Sequence, residues 1–263
     1  MDNRKIPNSI FGILGLRLDY SFSKAYFTEK FERLKLDDHE YRNFELGSEE
    51  ELLRFRESVI YNDLSRTTNG KAEIVRGLNV TIPYKETVMQ LLDELSPEAK
   101  AIGAVNTIAI ENNIWTGHNT DCYGFAKSLE PHLPIKGNAL ILGTGGASKA
   151  IAYTLEALQI PYLYVSRNPT GDYEIPYDKI DKDLLKDIGL IVNTTPLGTH
   201  PNVDEAPNLP YEHLNKGTVL HDLTYNPANT LFMKKGSAYD ATGLNGYQML
   251  VHQAERAWEI WNE

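Results

Sequence analysis

The 263-residue sequence has almost no cysteine and comparatively few basic residues. Cys122 is the only cysteine, so no disulfide can form within the chain and no cysteine-based zinc site can be assembled. This composition is typical of a reducing compartment, and we expect a cytoplasmic protein. The 26 basic residues are outnumbered by 36 acidic ones, which gives a net charge of -10. Nucleic acids and anionic membranes require clustered positive charge, so we expect neither as a partner.

Long apolar runs are also missing. The apolar segment at residues 10–16 is too short to cross a bilayer, and Arg17 and Asp19 follow it without the small-residue pattern of a cleavage site. We therefore expect a soluble, unexported chain. Its 41% apolar residues are enough for one or two domains with a substantial core.

Motifs for metal binding and serine hydrolysis are absent as well. The spacing of His118, His200 and His221 matches no metal-ligand pattern, so no metal site is predicted. The sequence contains no G-x-S-x-G motif, which argues against a serine hydrolase.

The most informative feature that is present is a glycine-rich turn. Residues 139–142 form an apolar run suited to a strand buried on both faces, and helix-forming residues resume after Ser148. Gly143 permits a tight reversal, while Gly145 and Gly146 remove side chains where phosphate oxygens would approach the helix start. Ser148 occupies the place of the third glycine of G-x-G-x-x-G. The turn predicts a pyrophosphate site; the alternative is a turn that merely connects strand to helix.

Apolar strands and helical segments alternate along the chain, which predicts an α/β fold. In the second half, strands at 139–142, 162–166, 190–193 and 219–223, a helix at 148–158 and a terminal amphipathic helix from Tyr247 to Trp261 predict a doubly wound parallel sheet. In the first half, we predict strands at 10–16, 41–46 and 77–82, a hairpin of 105–110 with 114–115, helices at 26–34, 48–59 and 85–95, and loops at 19–23 and 62–71.

Several polar residues stand where such folds bind ligands. Thr81 and Lys85 flank Pro83 at a strand-to-helix junction, where a lysine can deliver a proton or a positive charge to a bound oxygen. A solvated lysine is the alternative, although positive charge is unfavourable at a helix N-terminus. Asn106 lies in an apolar strand and Asp121 at a helix start. A strand-end hydrogen bond and an N-cap, respectively, would explain these two residues without a function.

The end of the predicted strand at 162–166 bears on cofactor choice. An NAD site usually has an acid there that holds the ribose 2′-hydroxyl, whereas a 2′-phosphate requires a basic group. The sequence has Ser166 and Arg167 at this point, which favours NADP. A surface arginine is the alternative.

Taken together, these segments resemble the shikimate dehydrogenase family. Its motifs occur in family order: S-x-S at 21–23, N-V-T-x-P-x-K at 79–85, A-V-N-T at 104–107, N-T-D at 119–121, G-x-G-G-A-x-K/R at 143–149, N-x-T-P/S-x-G at 193–198, D-x-x-Y-x-P at 222–227 and M-L-V-x-Q-A at 249–254. Each motif alone is weak, whereas eight in order are specific.

The resemblance implies an N-terminal α/β substrate domain and a Rossmann-like, doubly wound nucleotide-binding domain, with the active site in the cleft between them. Residues 1–120 with 241–263 would form the substrate-binding and catalytic domain, and residues 121–240 the NADP-binding domain. The implied activity is the reduction of 3-dehydroshikimate to shikimate with NADPH, on the way to chorismate and the aromatic amino acids. The implied partner is a small-molecule substrate, and the chain would be a monomer or a homodimer.

The resemblance also assigns residues. Lys85 and Asp121 would be the catalytic pair. The substrate would contact Ser21, Ser23, Thr81, Asn106, Tyr225 and Gln253. The cofactor would contact Gly143, Gly145, Gly146, Ala147, Ser166, Arg167, Thr194, Leu223 and Gly246. A hydride that arrives at a ketone leaves an alkoxide, which needs a proton and cationic stabilisation, and Lys85 can supply both.

Three motifs depart from the family pattern, at four positions. Lys24 and Phe27 replace the proline and the histidine of S-x-S-P-x-x-H, Gln248 replaces the second glycine of a terminal G-L-G-M, and Thr199 replaces a methionine after N-x-T-P-x-G. Two other functions remain open: a quinate/shikimate-type dehydrogenase that uses NAD, and a non-catalytic NADP-binding regulator.

Overall fold

The computed structural model describes residues 9–18, 21–65, 67–68 and 71–263. The chain divides into two units: the residues up to Thr120 together with Ala254–Glu263, and Asp121–Gln253. Each unit contains a six-stranded sheet covered by helices. Among the described residues, no helix has the length and apolar character needed to cross a membrane.

The first unit is built on a mixed sheet. Its strands are β1 (Ser9–Gly15), β2 (His39–Glu45), β3 (Thr67–Thr68), β4 (Lys71–Ala72), β5 (Ile74–Val80), β6 (Glu94–Leu95), β7 (Thr107–Glu111) and β8 (Ile114–His118), and its helices are α1 (Phe22–Leu34), α2 (Glu49–Ser65) and α3 (Pro97–Ile102). The sheet order is β2-β1-β5-β7-β8-β6, with β1 parallel to β2 and β5, and β7 antiparallel to β5 and β8. β3 and β4 pair separately as an antiparallel ribbon.

Apolar side chains cover both faces of this sheet. One core contains Leu78 and Trp115 with residues of α2, and the other is an aromatic cluster around Phe11 that includes the end of the last helix. Gly77 is required here, because a Cβ at this position would collide with the indole of Trp261. The indole Nε1 donates a hydrogen bond to the Ile108 carbonyl at 2.9 Å, which fixes the chain end on the sheet.

The second unit has the predicted doubly wound architecture. Its strands are β9 (Asn138–Leu142), β10 (Tyr162–Ser166), β11 (Glu174–Pro176), β12 (Ile188–Asn193), β13 (Val219–Asp222) and β14 (Thr242–Leu244), and its helices are α4 (Asp121–Leu129), α5 (Gly146–Ala157), α6 (Lys182–Leu185), α7 (Leu231–Ser237) and the first turns of α8 (Tyr247–Ile260). All neighbours in the order β11-β10-β9-β12-β13-β14 are parallel. The strand order reverses between β9 and β12, the point at which such sheets bind ligands.

The strands of this sheet are buried on both faces, as their apolar sequences predicted. Ala139 and Ile141 of β9 face one core, and Leu140 and Leu142 face the other. The α/β fold class with a Rossmann-like sheet is confirmed.

The second unit extends further along the chain than the expected boundary at residue 240. β14 adds a sixth strand to the sheet, and Met249 of α8 is buried in the same core as α4 and α5. The chain therefore returns to the first unit only at Ala254, inside α8.

The helix predicted at 85–95 is wrong. The structure has a single 3-10 turn, Thr87–Leu91, followed by β6. The Lys85 carbonyl accepts a hydrogen bond from the Val105 N–H at 2.7 Å, and the Asp93 N–H donates to the Trp115 carbonyl of β8 at 2.9 Å. These bonds to neighbouring segments take the place of the hydrogen bonds that a helix would form within itself. The apolar side chains that suggested a helix are nevertheless largely buried. α3, which we did not predict, follows β6.

The structure also tests the predicted hairpin and the predicted loop at 62–71. The Asn112–Asn113 hairpin turn is confirmed, with φ of 51° and 65° as a two-residue turn requires. The loop predicted at 62–71 is wrong in part, because α2 continues to Ser65 and residues of β3 and β4 follow. Arg66, Asn69 and Gly70 of that prediction, like Asp19 and Tyr20 of the loop at 19–23, lie outside the described residues.

Candidate functional site

Three of the predicted residues share one edge of the first sheet. The carboxyl ends of β1 and β5 meet the amino end of the antiparallel β7 there. The Thr81 N–H donates to the Leu14 carbonyl at 2.9 Å, and the Lys85 carbonyl accepts from Val105 N–H. Asn106 immediately precedes β7. The structure therefore brings Thr81, Lys85 and Asn106 to the same end of the sheet.

The amide of Asn106 is buried and has the hydrogen bonds that burial demands. Its Oδ1 accepts from the Thr120 N–H at 2.7 Å, and its Nδ2 donates to the Thr120 hydroxyl at 3.1 Å. Asp121, the first residue of α4 and only 3% exposed, follows directly in the chain and begins the second unit. Asn106 thus anchors the segment that leads into the predicted catalytic aspartate.

The two predicted serines stand at the start of α1. Ser21 is the N-cap, and its hydroxyl accepts from the Lys24 N–H at 3.4 Å beside a cavity of about 470 Å³. The Ser23 hydroxyl lies near the phenol of Tyr41, which donates to Oδ1 of Asn79 at 2.7 Å. Burial raises the pKa of Tyr41 well above its usual value, and the nearby Ser23 hydroxyl opposes this shift. Ser23 therefore stands beside a residue that bonds to the N-V-T motif.

Phe27, the replacement for the family histidine, lies in the core. Its ring is fully buried and stacks on Tyr41 with a centroid distance of 4.8 Å and an interplanar angle of 10°. It also contacts Phe31 and Trp261. Tyr41 was not predicted as a site residue, because an aromatic residue in a half-buried strand is ordinarily a packing residue.

The glycine turn lies at the strand-order reversal of the second sheet. Gly143 has φ of 109°, and a Cβ here would lie 2.7 Å from the Thr194 hydroxyl. That hydroxyl donates to the Leu142 carbonyl at 2.7 Å. The turn after β9 and the turn after β12 are thus held together, and a glycine is needed at their contact.

Helix α5 begins in this turn without a side-chain cap. Gly145 is its exposed N-cap, and a Cβ there would meet no described atom within 4 Å. Gly146 and Ala147 form the first turn of the helix. Ser148, in place of the third glycine, is fully buried and donates to the Gly145 carbonyl at 2.6 Å. The N–H groups at this helix start are suited to an anionic ligand.

The turns after β13 and β14 are in contact as well. A Cβ on Gly246 would collide with the Leu223 carbonyl, and the Gly246 N–H donates to the Thr224 carbonyl at 3.0 Å. Gln248, which replaces a family glycine, is exposed on the first turn of α8. The contact of Leu223 with Gly246 brings two more of the predicted cofactor residues together.

The remaining predicted residues also occupy definite places in the second unit. Tyr225 is half-buried after β13, and burial raises its pKa. Gln253 is half-buried on α8, where its backbone and Cβ pack against Gly124 of α4. Ser166 ends β10, and its hydroxyl accepts from Asn168 N–H at 3.2 Å.

Arg167 is exposed directly after β10. Burial raises the pKa of Tyr177, and the positive charge of the Arg167 guanidinium acts in the opposite direction. The end of β10 therefore carries a basic group, which is the property that a 2′-phosphate requires.

Asn193 and Asp222 were not predicted individually as site residues. Both are fully buried at the ends of the parallel strands β12 and β13, and Asn193 Nδ2 donates to Asp222 Oδ1 at 3.0 Å. Burial raises the pKa of Asp222, while hydrogen bonds from Thr230, Thr224 and Asn193 lower it. A signal was present, because each residue ends an apolar strand with a polar side chain and begins a motif. Within the described ranges, no group of three or more His, Cys, Asp or Glu side chains could hold a metal ion.

Comparison with known proteins identifies the family. The profile of the shikimate dehydrogenase substrate binding domain matches residues 13–108. The chain is 36% identical to a protein of Methanococcus maripaludis named shikimate dehydrogenase (NADP(+)), over 96% of the chain and 90% of the relative. It is 38% identical to the Clostridium beijerinckii protein of the same name, over 96% and 92%.

A solved structure agrees with these relatives. The crystal structure of shikimate 5-dehydrogenase from Thermus thermophilus, in complex with NADP(H) and shikimate, superposes with a TM-score of 0.79 at 29% identity. The alignment covers 96% of this chain and 92% of that one. The resemblance seen in the motifs is confirmed, and the chain belongs to the shikimate dehydrogenase family.

Proposed function

We propose that this chain is an NADP-dependent dehydrogenase that reduces 3-dehydroshikimate to shikimate. The observation that carries the proposal is the 36% identity, over 96% of the chain, to a relative named shikimate dehydrogenase (NADP(+)). The chain also has Lys85 and Asp121 at the positions where the family motifs place its catalytic pair. A regulator that only binds nucleotide has no need of a proton donor.

The second unit supports NADP as the cofactor. The uncapped start of α5 and the open space at Gly145 suit a pyrophosphate, and the exposed Arg167 suits a 2′-phosphate. NADPH supplies the hydride when bound. In our proposal it is held by Gly143, Gly145, Gly146, Ala147, Ser166, Arg167, Thr194, Leu223 and Gly246.

Lys85 provides the proton in the proposed reaction. The carbonyl carbon of the substrate gains a hydride, and its oxygen takes a proton from the Lys85 ammonium. The neutral amine that remains is then reprotonated from solvent. The positive charge also stabilises the oxygen as negative charge develops on it. Asp121 is proposed to orient the ammonium group.

The first unit is proposed to bind the substrate. Thr81, Lys85 and Asn106 share the carboxyl edge of β5, and the buried hydrogen bonds of Asn106 hold its amide in one orientation. Hydroxyl and amide groups match a substrate that carries a carboxylate and several hydroxyls. The proposed set of polar contacts is Ser21, Ser23, Thr81 and Asn106 of the first unit, together with Tyr225 and Gln253 of the second unit.

A spectrophotometric assay of nicotinamide oxidation tests the proposal. We expect turnover of 3-dehydroshikimate with NADPH, and loss of turnover in Lys85→Ala. Lys100→Ala, an exposed lysine on α3, is the matched control and should keep wild-type rates. Parallel assays of 3-dehydroshikimate reduction with NADH, and of shikimate and quinate oxidation with NADP+ and NAD+, separate the alternatives. A higher kcat/KM with NAD or with quinate contradicts the proposal, as does nucleotide binding without turnover of any of these acids.

A further inference from the structure

Asp222 is a fully buried carboxylate that accepts hydrogen bonds from three different segments. Its Oδ1 accepts from the side chain of Asn193 at 3.0 Å and from the backbone N–H of Thr224 at 3.0 Å. Its Oδ2 accepts from the hydroxyl of Thr230, the N-cap of α7, at 2.7 Å. Both oxygens of the carboxylate are therefore used.

Asn193 extends these contacts into the loop after β12. Its Oδ1 accepts from both the N–H and the hydroxyl of Thr195, at 3.1 and 2.6 Å. A second link joins the same two loops, because the hydroxyls of Thr199 and Thr224 lie 2.8 Å apart. The segments that follow β12 and β13 are thus tied to one buried amide–carboxylate pair.

These two loops begin with residues of the proposed nucleotide site. Thr194 follows Asn193 and packs against Gly143 of the glycine turn, and Leu223 follows Asp222 and packs against Gly246. We propose that the Asn193–Asp222 pair is a positioning element for nucleotide binding, which sets the loop after β12 against the glycine turn and the loop after β13 against Gly246. This inference rests on the proposed NADP-dependent function.

The three donors explain why a carboxylate is needed. An amide at 222 has one oxygen, which could keep the bonds from Asn193 and Thr224. Its NH2 would then face the Thr230 hydroxyl, whose oxygen already accepts from the Met233 N–H at 3.4 Å and whose proton would lose its acceptor. In the other orientation, the NH2 would oppose the two N–H donors. Asp222→Asn therefore disturbs the loops in either orientation.

The test compares NADP+ binding by calorimetry in Asp222→Asn, in the pair Thr230→Val and Thr230→Ser, and in His221→Gln. His221 precedes Asp222 on β13 and is equally buried, but its imidazole lies 2.9 Å from the Ser128 hydroxyl and against Phe125 of α4. We expect Asp222→Asn to raise the Kd of NADP+ about tenfold, the effect of about one net hydrogen bond. The Michaelis constant for the dehydroshikimate substrate should change less than about twofold.

The control variants separate positioning from a loss of stability. Thr230→Val should raise the Kd and Thr230→Ser should restore it, whereas His221→Gln should lower the Tm and leave the Kd unchanged. Wild-type Kd in Asp222→Asn, or an equal rise in His221→Gln, would overturn the inference. If Asp222→Asn does not fold, equal Kd values for the two Thr230 variants would overturn it. A wild-type protein that binds NADP+ but reduces no substrate contradicts the proposed function alone.

Discussion

Acid should destabilise the second unit through His221. This imidazole is fully buried, and burial lowers its pKa to about 3, with a smaller contribution from the charge of His132. An unfolded histidine titrates near pH 6.5, so between about pH 6.5 and 3 the unfolded chain binds a proton that the folded chain does not. The folded state is therefore most favoured above pH 6.5 and loses stability as the pH falls. The expected loss is about 1.4 kcal/mol per pH unit, or about 2 kcal/mol between pH 7 and pH 5.

The three tryptophans all lie in the first unit, so their fluorescence does not report on His221. Hydrogen exchange of peptides from β9, β12 and β13, measured at pH 7 and pH 5 and corrected for intrinsic exchange, gives the opening free energy of the second unit. In His221→Gln, which does not titrate, the loss should be smaller than in the wild type by about 2 kcal/mol. His213→Gln removes an exposed imidazole and is the control. An equal loss in the wild type and in His221→Gln would refute the reasoning.

Three other substitutions have distinct expected outcomes. Gly145→Ala should leave the Tm unchanged, because φ is -81° and the Cβ meets no described atom within 4 Å, yet it should raise the Kd of NADP+ at least about tenfold by calorimetry. Arg167→Gln should raise the KM of NADPH about tenfold while the KM of NADH stays within about twofold, as steady-state kinetics can show. Gly77→Ala should reduce the stability of the first unit by about 2 kcal/mol in urea unfolding followed by tryptophan fluorescence, because its Cβ displaces Trp261.

The sheet of the second unit could be predicted because its inner strands are apolar on both faces. Runs such as Leu140–Leu142 require cover on two sides, and a parallel sheet between helices provides it. The edge strands β11 and β14 could not be predicted in this way. Each has three residues without an apolar run, and pairing with β10 or β13 determines its conformation.

The incorrect prediction of a helix at 85–95 also arises because contacts with other segments determine the backbone conformation. Helical spacing indicates which side chains are buried, and Val88 and Leu91 are buried as expected. It does not indicate where the backbone groups find their partners. The Lys85 carbonyl and the Asp93 N–H bond to distant segments, which no local pattern in the sequence reveals.

Some residues of the candidate site could likewise be predicted from the sequence, and others could not. Motifs identify side chains such as Lys85 and Asn106, because their residue types and spacing are distinctive. They do not identify Tyr41, whose hydroxyl comes to lie near Ser23 and to donate to Asn79 only after three separate segments have come together. Long-range hydrogen bonds of this kind are properties of the folded chain and not of any single segment.

Three of the four residues that depart from the family pattern, Phe27, Gln248 and Thr199, have different physical consequences. Phe27 lies beneath Tyr41, where a histidine would bring a polar ring into an aromatic cluster, so the replacement favours packing and leaves the hydroxyl of Tyr41 in its polar contacts. Gln248 is exposed, so this replacement changes only the solvent-accessible surface of α8. Thr199 introduces a polar group where the family has an apolar one. Its hydroxyl forms a hydrogen bond with the hydroxyl of Thr224, between the two loops that Asp222 holds. Phe27 therefore contributes packing in the first unit and Thr199 a contact between loops in the second, while Lys85 and Asp121 are both retained.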